Sequence, residues 1–197
     1  MSINWLPRWL APFAILAGLP YVLKPLLTLV CHSGDGHSHG GVCILSLPLE
    51  IFAETMTLLA LVAVYAVQAK RARLFGFISF ILNFIFTTMV MGVNWFAFLY
   101  EDLILKGRFE PPSFMMAIFM IALFGWILSS MLFGLSTLLA KKFPRWTAVA
   151  FIIGPLLTLA PNPGYLIGAV LLGAGLIGMG IALWRSKPKE GDGLGYK

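Results

Sequence analysis

Apolar residues run in long blocks along this chain, separated by short polar or basic stretches. Six blocks, about 9–30, 47–68, 74–100, 114–140, 146–160 and 165–184, approach the ~20 residues an α-helix needs to cross a bilayer. Within lipid every backbone polar group needs an internal partner, so these blocks are expected as helices. The predicted fold is all-α: a bundle of six transmembrane helices forming one domain over residues 1–185. The polar, Gly-rich segment 186–197 is expected as a disordered tail. The fifth block is short and interrupted by Gly154-Pro155, so it either crosses fully or forms a re-entrant hairpin.

Composition supports a membrane protein. Of 197 residues, 59% are hydrophobic and 11% charged, against roughly 25% charged in soluble domains. The first apolar block is too long for a signal-peptide core and lacks a small-x-small cleavage site near its end, so it reads as a retained helix.

Charge orients the bundle. Arg8, Lys70, Arg71, Arg73, Lys141, Lys142, Arg145, Arg185, Lys187, Lys189 and Lys197 fall on one side, 11 of the 14 basic residues. Lys106 and Arg108 fall on the other side, and Lys24 lies inside the first block. The positive-inside rule makes the richer side cytoplasmic. Both termini are then inside, in a plasma or bacterial inner membrane. The aromatic residues agree, with Trp5, Trp9, Trp146 and Trp184 at the inner boundary and Trp95, Tyr100 and Tyr165 near the outer one.

This topology puts "CHSGDGHSHGGVC", residues 31–43, outside the cytoplasm. A Cys31–Cys43 disulfide is expected on that oxidising face. Closing so short a loop contributes roughly 3 kcal/mol in the chain-entropy model. His32, Asp35, His37 and His39 supply ligand types suited to a divalent metal. Their spacing matches no established tetrahedral site, and a solvated loop is the favoured reading.

Charges inside apolar spans are costly and mark candidate function. Lys24, Glu50 and Glu54 qualify, all within ~11 Å of the outer ends of the first two spans at ~1.5 Å per residue. The depths predict a Lys24–Glu54 contact, with Glu50 nearer the surface. One lysine neutralises one carboxylate, which leaves a second available for a cation or proton. Pro20 and Pro25 flank Lys24, and broken helices at membrane depth line transporter cavities. Polar stripes continue inward. They comprise Thr57, Tyr65 and Gln68 in the second span, Ser79, Asn83, Thr87 and Asn94 in the third, and Ser129, Ser130, Ser136 and Thr137 in the fourth. The Ser and Thr fit interhelical hydrogen bonding, whereas Asn83 and Asn94 join the candidate polar site. In the last span Gly164, Gly168, Ala174, Gly178 and Ala182 form small-residue rows that allow close packing, either within the bundle or against a second copy or partner subunit.

No P-loop, dinucleotide fingerprint, HExxH or nucleophile elbow is present. No catalytic residue is identified, and nothing points to nucleic acid. The leading expectation is a small solute or cation transporter component with an outward-facing polar site. A non-catalytic accessory subunit of a larger membrane complex, for example a respiratory one, is the second. A membrane enzyme acting on a lipid or quinone is the third.

Overall fold

A computed structural model describes residues 6–33, 46–105, 112–161 and 163–185. Among them the chain is all-helical, with five helices: α1 (Leu6–Ser33), α2 (Ser46–Leu105), α3 (Ser113–Ala140), α4 (Arg145–Leu157) and α5 (Gly164–Arg185). The expected Cys31–Cys43 bridge, the metal-ligand set of the 31–43 loop, the Lys106/Arg108 segment and the tail lie outside these residues or rest on side chains outside the description.

The second and third predicted helices are one element here. α2 runs for 60 residues and breaks at Arg73, whose φ of 49° and ψ of −144° leave the helical region. The chain folds back there. Asn94 bonds to Glu54, Thr55 meets Met91, and Tyr65 stacks on Phe80, so arms 46–72 and 74–105 lie antiparallel. No Gly or Pro lies between Pro48 and Gly76 to mark this turn; helix formers continue straight through it. Arg71 fastens the turn to its neighbour by donating to the Ala140 carbonyl, 3.4 Å away at the end of α3, where the last carbonyls of a helix lack intrahelical donors.

Each helix packs on the next, and α5 packs back on α1, which closes the bundle into a ring. Close approach of backbones holds the ring shut. A Cβ at Gly18 would lie 2.4 Å from the Gly173 carbonyl oxygen, and one at Gly173 would lie 2.5 Å from that of Gly18. Ala11, Ala14 and Ala17 continue this face of α1, fully buried. The small-residue rows of α5 are used inside the chain: Gly168 abuts Gly154 of α4, Gly178 abuts Trp146, and Ala182 packs on the core.

Three helices are long and apolar enough to cross a membrane: Leu47–Tyr100, Phe114–Ala140 and Gly164–Arg185. Trp9–Pro25 and Arg145–Leu157 are shorter apolar helices. Large side chains such as Leu16, Phe77, Ile85, Ile121, Leu128 and Ile167 stand exposed around the outside, while Gln68, Asn83, Ser130 and Ser136 are fully buried. This inversion of the soluble pattern suits lipid contact. Lys70, Arg71, Arg73, Lys141, Lys142, Arg145 and Arg185 are all exposed and share one end of the bundle.

Candidate functional site

The opposite half of the bundle encloses a cavity of about 340 Å³. α1 contributes Tyr21 and Lys24, and the two arms of α2 contribute Glu50, Glu54, Val90 and Asn94. Phe119, Leu123 and Trp126 come from α3, and Thr158, Tyr165, Ala169 and Leu172 close the far wall. Local sequence explains this convergence. Tyr21 and Lys24 sit three residues apart on one face of α1, and Glu50 and Glu54 four apart on one face of α2. The fold-back at Arg73 brings Asn94 level with Glu54. α4 ends at Leu157 and the chain turns from Thr158, whose hydroxyl donates to the Pro155 carbonyl at 2.6 Å.

Lys24 forms its ion pair with Glu50, not with Glu54, which corrects the pairing expected from depth. Both partners are partly exposed, 17% and 26% of their side chains. The flexible lysine stem turns outward toward the carboxylate nearer the helix end, as lysines in apolar surroundings do. Lys24 also lies against Tyr165, with Nζ 5.5 Å from the ring centroid, within cation–π range.

Glu54 has a different environment. It is 4% exposed. Asn94 Nδ2 donates to its Oε1 at 2.7 Å, and its Oε2 is buried with no hydrogen-bond partner among the described residues. One turn further along α2, Thr57 donates to the Ala53 carbonyl at 2.7 Å. The two carboxylates therefore divide: Glu50 clamps α1 to α2, while Glu54 presents an unsatisfied acceptor to the cavity.

Four of the five polar residues singled out from sequence, Lys24, Glu50, Glu54 and Asn94, line this cavity. Asn83 does not. It lies deeper, where its Oδ1 accepts from Ser130 at 3.0 Å and Ser129 at 3.3 Å. Tyr21, Trp126, Thr158 and Tyr165 also line the cavity, although sequence reasoning gave them no place in it. Trp126 carried a readable signal: tryptophan belongs at membrane boundaries, so one in mid-span points to an interior role. Among the described residues no group of three or more His, Cys, Asp and Glu is placed to hold a metal ion.

No protein-family model, curated protein or solved structure matches this chain.

Proposed function

We propose that this chain is an integral membrane protein that binds a small cationic amine in the cavity and serves as a transporter or its membrane component. The observation that carries this reading is Glu54, buried, held by Asn94 on one oxygen and without a hydrogen-bond partner on the other among the described residues. A buried acceptor of this kind costs free energy until a donor fills it. Among the described residues Lys24 is occupied by Glu50, and a bound cation is a donor with charge to match Glu54.

The cavity walls narrow the choice. Hard divalent cations take six or more oxygen ligands. One available carboxylate beside the aromatic faces of Tyr21, Trp126 and Tyr165 suits an organic ammonium group better. The volume of about 340 Å³ fits the lower end of small-molecule pockets.

In this reading the chain crosses the bilayer six times, with each arm of α2 crossing once. The basic end faces the cytoplasm. The cavity opens to the outside, near a Cys31–Cys43 bridge.

A thermal-shift panel on detergent-purified protein tests the proposal, using methylammonium, benzylammonium, tetramethylammonium, Na⁺ and Mg²⁺. A ligand at 100 times its Kd stabilises by ~2.7 kcal/mol through mass action. An organic ammonium is expected to raise Tm in the wild type and not in Glu54→Gln. Stabilisation that persists in Glu54→Gln refutes the site, and a flat panel assigns the chain to the accessory-subunit class.

A further inference from the structure

A second set of buried polar groups runs from the cavity toward the basic end, between the arms of α2 and α3. Val90 lines the cavity, and Thr87 lies one turn beyond it. Thr87, Asn83 and Ser79 then follow at four-residue steps on one face, a rise of ~6 Å each. All three are at most 1% exposed. Across from them α3 presents Ser129 and Ser130, which donate to Asn83 Oδ1.

Ser136 marks the next level. A Cβ added at Gly76 would lie 2.9 Å from its hydroxyl oxygen, and Ser79 donates to the Gly76 carbonyl at 3.0 Å. Gln68 completes the set on the other arm. Tyr65 stacks on Phe80, so Gln68, three residues nearer the break, comes level with about Phe77.

These groups are poorly satisfied. Thr87 Oγ1, Asn83 Nδ2, Ser136 Oγ and both ends of the Gln68 amide are buried with no hydrogen-bond partner among the described residues. Interhelical glue is defined by bonds that are made, and these are not. Ordered water is the standard partner for such groups, each molecule needing two to four polar atoms. Steps of ~6 Å along the helix are too long for direct hydrogen bonds and call for bridging waters between successive groups.

We propose that this row holds a file of ordered waters that carries protons between the Glu54 cavity and the basic end of the bundle. A proton leaves the Glu54 carboxyl for the adjacent water. Each water or hydroxyl along the file then accepts one proton and releases another, and the last water gives its proton to bulk solvent. No bond other than O–H forms or breaks. Thr87, Ser79 and Ser136 both donate and accept, whereas Asn83 and Gln68 hold waters in register. Resting on the reading of Glu54 as the cation site, the file makes proton and amine alternative occupants of one carboxylate. Transport would then be an exchange of the two.

The test uses the full chain in proteoliposomes that contain a pH-sensitive dye, with the membrane potential clamped by K⁺ and valinomycin. A pH step should drive proton flux above that of protein-free vesicles. Gln68→Leu and Ser136→Ala should each lower it by about tenfold, the effect on a rate of losing one polar link. Neither residue lines the cavity, so the benzylammonium thermal shift should survive in both variants, which also shows that they fold. Wild-type flux equal to that of protein-free vesicles overturns the proposal. So does undiminished flux in both folded variants. Loss of the benzylammonium shift in the wild type, with flux retained, would instead remove the amine reading and leave the file.

Discussion

Replacing Lys24 by Met tests the division of labour between the two glutamates. The substitution keeps an unbranched stem of similar length and removes the charge that Glu50 pairs with. Breaking a fully buried ion pair costs ~3–5 kcal/mol, because the surviving charge is left without compensation. Here the partners are 17% and 26% exposed, and the discount for that exposure lowers the expected loss to about 2 kcal/mol. That is about a thirtyfold fall in the ratio of folded to unfolded protein. Adding Glu50→Gln removes the stranded charge, so the double variant should recover to within ~1 kcal/mol of wild type. Adding Glu54→Gln instead should not rescue, since Glu54 is held by Asn94. Stability is read by SDS titration in dodecylmaltoside micelles, following the fluorescence of the six tryptophans. A neutral Lys24→Met, or rescue by Glu54→Gln rather than Glu50→Gln, refutes the assignment of Glu50 as the structural partner.

Other substitutions probe the frame around the site. Gly173→Ala places a methyl 2.5 Å from the Gly18 carbonyl and 3.0 Å from Tyr21 Cβ; it should cost ~1–3 kcal/mol as overpacking in the same SDS titration. Arg73→Gly relieves a positive φ of 49° that L-residues rarely adopt, and should stabilise by about 1 kcal/mol; destabilisation would show that the arginine side chain matters more than its backbone. Non-reducing peptide mass spectrometry should find Cys31 and Cys43 linked, whereas quantitative alkylation of both without reductant would show free thiols.

The all-helical fold was legible because composition and block length leave lipid no other option. The cluster Lys70, Arg71 and Arg73 located the α2 fold-back although helix propensity continues across it; only the charge reported the turn. The polar residues of the cavity were legible one by one, because charge inside an apolar span is conspicuous. Their pairing was not. Depth along each helix is readable from sequence, but rotation about the axis and side-chain reach are not, and these decided that Lys24 meets Glu50. Tyr165 was hidden for a related reason: a tyrosine near a helix end reads as a boundary residue whether it faces lipid or a cavity. Thr158 was hidden because its place depends on where α4 ends.

The central claim is that Glu54 is the cavity's open acceptor and Glu50 is not. Labelling with dicyclohexylcarbodiimide, mapped by mass spectrometry, measures this directly, since the reagent partitions into apolar sites and modifies accessible carboxyl groups. The account predicts that label falls on Glu54, is sparse on Glu50 because Lys24 holds that carboxylate, and is displaced by the ammonium ion that raises Tm. Label concentrated on Glu50, or labelling of Glu54 that the ammonium ion leaves unchanged, would contradict it.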